Sequence, residues 1–177
     1  MKDKCKNNFR GREDYYKGLA GIYFHRMQNK IIELGDLRNG KKILDYGCYT
    51  GELKKKLGNS VINYDINPKL SEVDDWKSQD FDVVVSNQVF VYLTEDQLIE
   101  FTSELKKKNK NAALIVGLPR MNLLSKVGKI LSGNSEAHDG IMLHPEKVME
   151  ILNQEMSIIS HISVFQMCDI YLMKFKS

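Results

Sequence analysis

Apolar side chains recur along the chain with two alternating periods. From Tyr15 to Leu34 they fall every three or four residues, which predicts an amphipathic helix that ends near Gly35. Residues 42–46 then form a short apolar and β-branched run, which is typical of a strand. The same change of period returns further along the chain, so strands and helices are expected to alternate.

Three further short apolar runs predict strands, namely residues 61–65, 81–86 and 112–117. Helices are expected at residues 52–57, 94–105, 123–130 and 145–152. Residues 69–80 are polar and follow Pro68, so they leave room for a stub of strand at most. Two β-like runs, 157–165 and 168–175, predict a hairpin at the end of the chain.

This order of elements predicts an α/β fold with a Rossmann-like open twisted sheet, mostly parallel with a C-terminal antiparallel strand, and helices on both faces. In such a sheet, ligands bind beyond the carboxyl ends of the strands. A length of 177 residues favours a single domain. We expect it to consist of an N-terminal helical cover, residues 1–38, and a sheet core, residues 40–175.

Composition narrows the class of protein further. The net charge of +3 is small, which weighs against a nucleic-acid partner. No apolar run approaches the ~20 residues that span a bilayer, so we expect a soluble protein without membrane contact. The three cysteines are far apart and include no Cys-x-x-Cys pair, so neither a disulfide framework nor a metal site is indicated. A reducing, cytoplasmic location fits this pattern.

A glycine turn and two acids stand where the first two strands end. Gly47 and Gly51 lie four residues apart between a strand and a helix, and Asp45 precedes them. Glycine there permits a tight turn and a close approach of a ligand to the backbone. Asp65 closes the next strand, where a carboxylate can accept hydrogen bonds from both hydroxyls of a ribose. The pattern therefore indicates a cofactor that contains a nucleoside.

Four segments together resemble the class I S-adenosylmethionine-dependent methyltransferases, in particular the small type 11/12-like enzymes. They are residues 45–51 (DYGCYTG), 64–67 (YDIN), 81–93 (FDVVVSNQVFVYL) and 114–119 (LIVGLP). The resemblance covers about residues 40–175 and implies the strand order 3-2-1-4-5-7-6. The dinucleotide-binding motif of a dehydrogenase also combines a glycine turn with an acid at the next strand end, but this chain lacks the third glycine of the dehydrogenase motif.

The resemblance implies S-adenosyl-L-methionine as the cofactor and assigns residues to its parts. Those expected around its methionine part are Asp45, Gly47, Cys48, Tyr49 and Gly51. Asp65 would hold the ribose, Ile66 would pack on the adenine, and Asp75 and Trp76 would lie at the adenine edge. Asn87 and Gln88 would line the site near the sulfonium.

Two departures from the family pattern leave an alternative open. Tyr49 stands where the family usually has the middle glycine of the turn, and residues 67–80 are too few for a full helix and a full third strand. If the Tyr49 side chain fills the cofactor pocket, the protein is a non-catalytic binding module with a methyltransferase-like fold.

The expected activity is transfer of a methyl group to an oxygen, nitrogen or carbon of a small molecule or of a glycan or lipid intermediate. An RNA or protein methyltransferase is the alternative, and the sequence leaves open whether the protein forms a homodimer. Acceptors of this kind can need a base, for which histidine is the natural residue near neutral pH. His138 is the first candidate for that base and His144 the second. The first helix and residues 118–145 are expected to recognise the acceptor.

Overall fold

The structure is a computed structural model, and it describes residues 18–121 and 140–177. The predicted helix at 123–130 lies outside the described residues. His138, the first candidate for a catalytic base, also lies outside them.

The described residues form four α-helices. They are α1 (Gly18–Gly35), α2 (Glu52–Leu57), α3 (Glu95–Asn109) and α4 (Pro145–Glu155). Helix α3 begins with the capping box that its sequence predicts: the Thr94 hydroxyl accepts a hydrogen bond from the Gln97 amide, and the Gln97 side chain accepts one from the Thr94 amide. None of the helices in the described ranges combines the length and the apolar character that crossing a bilayer would require.

Six strands of the described residues form one sheet. They are β1 (Ile43–Tyr46), β2 (Val61–Tyr64), β3 (Val83–Asn87), β4 (Ala113–Pro119), β5 (Met156–Val164) and β6 (Cys168–Phe175). Their order across the sheet is β2-β1-β3-β4-β6-β5. The first four strands are parallel, and β6 runs antiparallel to both β4 and β5. The carboxyl ends of β1, β2, β3 and β4 therefore meet at the same edge, which we call the carboxyl edge.

The predicted seven-strand order 3-2-1-4-5-7-6 is wrong in one respect, because its third strand is not formed between β2 and β3, where every residue is described. Between β2 and β3 the chain meets the free edge of β2 at one residue. The Glu72 amide donates to the Asn63 carbonyl, and the Glu72 carboxylate accepts from the Asn63 amide at 3.0 Å. Pro68 and the short polar segment around it cannot supply a longer ladder. The remaining six strands keep the predicted order.

Apolar residues cover both faces of the sheet, which explains why β4 is buried along its whole length. Against the face that carries α3 and α4, the largest buried side chains include Phe90, Leu98, Leu105, Leu114 and Leu152. The opposite face carries α1 and buries Met27, Ile31, Leu37, Ile43 and Ile115. Helix α1 contacts β4, β5 and β6, so it lies beside the antiparallel part of the sheet.

Candidate active site

The loop after β1 makes a tight turn at the carboxyl edge. Three of its residues have left-handed backbone conformations, with φ of 80° at Gly47, 48° at Tyr49 and 67° at Gly51. A Cβ on Gly47 would lie 2.3 Å from Val89 Cγ2, and one on Gly51 would lie 2.7 Å from Asn63 Nδ2. Tyr49 thus takes a backbone conformation that favours glycine, and the turn has the shape that the motif predicts.

Asp65 ties this turn to the end of β2. One of its carboxylate oxygens accepts a hydrogen bond from the Tyr49 amide at 3.1 Å, and the other accepts one from the Asn67 amide at 2.9 Å. The Gly47 and Cys48 amides both donate to the Tyr64 carbonyl, at 2.8 and 3.1 Å. These bonds bring the first two predicted motifs together, as the sequence suggested.

Asp45 is a buried carboxyl group at the end of β1, with 7% of the residue exposed. Burial, and to a smaller extent the nearby Asp65 carboxylate, raises the pKa of Asp45 from 3.8 to about 7. A cation placed near these two carboxylates would stabilise their ionised forms and so lower the pKa of Asp45. The site therefore favours a ligand with a positive charge close to Asp45.

The end of β3 presents two buried hydrogen-bonding groups without a partner in the described part of the chain. The Ser86 hydroxyl and the Asn87 Oδ1 atom are buried, and neither has a hydrogen-bond partner among the described residues. The Asn87 side chain lies against Gly117 of β4, where a Cβ would come within 2.3 Å of Asn87 Oδ1. An unpaired buried amide oxygen is costly, so a donor from a ligand is expected to meet it.

The other residues assigned to the cofactor by resemblance divide into two groups. Ile66 is 86% exposed directly after Asp65, which leaves its side chain open to a planar ligand. The Trp76 indole, in contrast, packs in the core against Tyr46, Phe81 and Phe101. Any ligand contact of Trp76 would therefore come from its backbone. The side chain of Asp75 accepts a hydrogen bond from the Lys77 amide and caps a short 3-10 helix, Trp76–Ser78.

A cleft of about 670 Å³ opens beside the carboxyl end of β4. One wall is formed by one side of α4 and the residue before it, and the other by the ends of β4 and β6. The residues on its walls include Leu118, Arg120, His144, Glu146, Met149, Glu150, Asp169 and Tyr171. Asn87 and Gly117 are paired residues of β3 and β4, so the cleft begins about one strand spacing from Asn87.

A polar network lines the side of this cleft that β6 forms. The Arg120 Nε atom donates to one oxygen of Asp169 at 2.5 Å, and His161 Nε2 lies 2.9 Å from the other. Burial alone would raise the pKa of Asp169, but the hydrogen bonds from Arg120 and His161 lower it overall. The His161 ring stacks on Tyr171 with ring centroids 4.5 Å apart. Asp169 thus stays ionised and holds two side chains in place.

Sequence reasoning missed this network. Its members are the residue directly after β4 and residues of β5 and β6, and 49 residues separate Arg120 from Asp169 along the chain. The one available signal was the predicted hairpin, because its register pairs His161 with Tyr171 across the two strands. The second base candidate, His144, lines the same cleft, and its Nδ1 atom contacts the Glu146 carboxylate.

Comparisons with known proteins agree with this fold. No family model matches the chain. An uncharacterized protein of Methanocaldococcus jannaschii is 31% identical over 114 residues, which cover 59% of this chain. The chain spans less than half of that relative, 45% of its length.

Solved structures cover more of the chain at lower identity. The N-methyltransferase NodS of Bradyrhizobium japonicum is 15% identical, with a TM-score of 0.64, covering 88% of this chain and 98% of its own. The magnesium protoporphyrin IX methyltransferase of Synechocystis, solved with bound S-adenosylhomocysteine, is 18% identical with a TM-score of 0.58 and covers 93% of this chain and 92% of its own. A type 11 methyltransferase structure from Sulfolobus solfataricus is 18% identical with a TM-score of 0.60, over 81% of this chain and 90% of its own. The chain therefore has the fold of the class I S-adenosylmethionine-dependent methyltransferases.

Proposed function

We propose that the protein is an S-adenosylmethionine-dependent methyltransferase whose acceptor is a small molecule. One observation carries the proposal: the unpaired amide oxygen of Asn87 and the carboxyl groups of Asp45 and Asp65 surround a glycine turn at the carboxyl edge. In an open α/β sheet this edge is where ligands bind.

The residues present fit S-adenosylmethionine. Its ribose has two hydroxyl donors for the Asp65 carboxylate, and its ammonium and sulfonium groups bring the positive charge that the raised pKa of Asp45 favours. Asn87 Oδ1 can accept a hydrogen bond from the ammonium. The exposed side chain of Ile66 offers an apolar surface for the adenine. When bound, the cofactor supplies a methyl group on a positively charged sulfur that is already activated as a leaving group.

The task that this leaves to the protein is to hold the acceptor in line with the methyl carbon. Orientation of this kind can supply a large part of the rate enhancement. The cleft beside β4 is within the range of about 300–1,000 Å³ that is usual for small-molecule sites. The carboxylate of Asp169 fixes Arg120, so that a rigid guanidinium forms part of the cleft wall.

Three features support a small-molecule acceptor over RNA. Among the described residues on the walls of the cleft, the carboxylates of Glu146, Glu150 and Asp169 outnumber the guanidinium of Arg120, which favours an acceptor without phosphates. The net charge of the chain is only +3. One of the structural neighbours is named for a small-molecule acceptor, magnesium protoporphyrin IX.

Acceptor class is tested with S-adenosylmethionine that carries a radioactive methyl group. The purified protein is incubated with it and, in separate reactions, with a small-molecule extract, total RNA or the protein fraction of a cell lysate. We expect the label in the small-molecule fraction. Transfer should fall at least tenfold in Asp65→Asn, which loses the charge of the ribose acceptor, and should be unchanged in Asp74→Asn, which alters an exposed carboxylate outside the site.

Label in RNA or protein would show that the acceptor class is wrong, although the protein would still be a methyltransferase. Absence of label from all three fractions would contradict the methyltransferase itself.

A further inference from the structure

The segment that follows β2 leaves the sheet and returns to its edge at Glu72. The Glu72 amide donates to the Asn63 carbonyl of β2 at 3.0 Å, and the Glu72 carboxylate accepts from the Asn63 amide at 3.0 Å. Residues 65–71 therefore form a compact loop whose two ends meet at β2. We call residues 65–71 the nucleoside loop, because it begins with Asp65 and Ile66, which the proposed function assigns to the ribose and the adenine.

Lys54 of α2 holds the returning end of this loop. Its Nζ atom donates to both oxygens of the Glu72 carboxylate, at 2.7 Å each. Burial alone would raise the pKa of Glu72, but the hydrogen bonds from Lys54 and from the Asn63 amide lower it overall. One ionised carboxylate thus joins α2 to the edge of β2. We call Lys54, Asn63 and Glu72 the edge clasp.

Hydrogen bonds connect the nucleoside loop to the glycine turn. The Asp65 carboxylate is held from both sides, by the Tyr49 amide of the turn at 3.1 Å and by the Asn67 amide of the loop at 2.9 Å. The Asn67 carbonyl accepts from the Leu70 amide at 2.9 Å, and the Leu70 carbonyl lies 3.5 Å from the Cys48 sulfur. The direction of the Asp65 carboxylate therefore depends on the conformation of the loop as well as on the turn.

We propose that Lys54 and Glu72 are positioning residues of the methyltransferase site: the edge clasp closes the nucleoside loop and so fixes Asp65 and Ile66 for the nucleoside half of S-adenosylmethionine. The clasp does here what a third strand beside β2 would do, because it ties the chain after Asp65 to the edge of the sheet. The inference rests on the proposed function, because it takes S-adenosylmethionine as the ligand. Both residues act through the loop and not by contact with the cofactor.

The expected size of the effect follows from the exposure of the clasp. The side chains of Lys54 and Glu72 are both partly exposed, and an ion pair at the surface contributes little by itself. Loss of the Lys54 cation should therefore weaken binding only about threefold. Loss of the Glu72 carboxylate also frees the Asn63 amide. Its effect should be larger, because a loop that is closed for a smaller part of the time lowers the apparent affinity in proportion.

The test measures the binding of two ligands by calorimetry, S-adenosylhomocysteine and 5′-methylthioadenosine. The second ligand has the adenine, the ribose and a neutral thioether, but it lacks the amino-acid part. We expect Glu72→Ala to bind both ligands at least fivefold more weakly than the wild type, and by the same factor. Glu72→Gln keeps an oxygen that can accept from the Asn63 amide, so its loss should be about threefold for both ligands.

Lys54 and its neighbour on α2 provide matched variants. Lys54→Met removes the cation and should weaken both ligands about threefold, whereas Lys54→Arg keeps a charged donor for Glu72 and should restore the wild-type affinity. Lys55→Met is the control. Lys55 pairs with Glu52, so this change removes the same charge from the same helix without touching the clasp, and it should leave both affinities unchanged.

NMR of the ligand-free proteins tests the conformation of the loop directly. The amide signals of Asn63, Asp65 and Asn67 should be displaced in Glu72→Ala and should stay in place in Lys55→Met.

Wild-type affinity in Glu72→Ala would overturn the positioning role, as would unchanged Asn63 and Asn67 signals in that variant. A loss confined to S-adenosylhomocysteine, or an equal loss in Lys54→Met and Lys55→Met, would also overturn it. A wild-type protein that binds neither ligand would instead overturn the proposed function, and the NMR signals of the ligand-free variants would then decide whether the edge clasp holds the nucleoside loop.

Discussion

Asp45 is a residue whose position costs the folded protein stability. Its pKa of about 7 lies well above the 3.8 of an unperturbed aspartate, so the folded state binds the proton more tightly than the unfolded state does. The stability due to this proton is complete below about pH 4 and is lost as the pH rises toward and through 7. A group kept at such a cost is explained by a ligand that interacts with its ionised form.

Replacement of Asp45 by asparagine should therefore stabilise the ligand-free protein at pH 8. The gain is at most about 4 kcal/mol, since each pKa unit corresponds to about 1.4 kcal/mol, and it should shrink steadily as the pH is lowered from 7 to 4. Urea denaturation of both proteins across this pH range measures it.

Asp74→Asn, at an exposed carboxylate, provides the control and should show a small difference that does not follow this course. If the gain of Asp45→Asn were the same at pH 4 and pH 8, burial of an ionised Asp45 would not be its cause.

At the residue scale, the sequence predicted which residues lie at the carboxyl edge better than it predicted the directions of their side chains. Spacing from a strand end was enough to locate Asp45 and Asp65, because a strand end fixes the edge of the sheet at which a residue lies. It was not enough for Trp76 or Gln88. Their directions depend on packing against Phe101 and against Met27, which are distant in sequence.

At the scale of elements, the spacing of apolar residues and the positions of glycine, proline and capping residues predicted the six described strands and the described helices to within a few residues. The third strand was expected from resemblance, but the described segment between β2 and β3 does not form it. Its place on the edge of β2 is taken by Glu72, which Lys54 holds at 2.7 Å. One residue can satisfy the backbone hydrogen-bonding groups of one residue at a strand edge. A prediction from the spacing of apolar residues cannot detect such a contact.

The hairpin of β5 and β6 contains a strained turn. Phe165 and Gln166 have φ of 50° and 55°, and the Met167 amide donates to the Val164 carbonyl at 3.0 Å. Two consecutive left-handed residues are the pattern for which Asn-Gly is preferred. The double change Phe165→Asn with Gln166→Gly should raise Tm by about 2–4 °C, since relief of about 1 kcal/mol shifts Tm by that amount in a domain of this size.

Phe165→Ala separates the contribution of the phenylalanine ring from that of the backbone strain in the turn. It removes the ring, which lies 6.3 Å from that of Tyr23, but keeps the left-handed conformation. We expect no rise in Tm for this variant. A double variant that melts at or below the wild-type temperature would show that the ring contacts outweigh the backbone strain.

At the scale of the whole molecule, the sheet order explains why one edge holds both parts of the site. The parallel strands β2, β1 and β3 bring the glycine turn, Asp65 and Asn87 together, and the neighbouring β4 and β6 form the cleft. The comparisons establish the fold, and the buried groups at its carboxyl edge provide the argument for a cofactor. That argument depends on the folded structure, because the sequence alone does not show that Asn87 Oδ1 lacks a partner among the described residues.

The central claim is that this edge binds the cofactor, and calorimetric titration of the wild-type protein with S-adenosylhomocysteine tests it most directly. Asp65→Asn serves as the site variant and Asp74→Asn as the matched surface control. We predict saturable binding of one ligand per chain by the wild type and by Asp74→Asn, with an affinity at least tenfold weaker for Asp65→Asn. No detectable binding by the folded wild-type protein, or equal binding by all three proteins, would contradict the account.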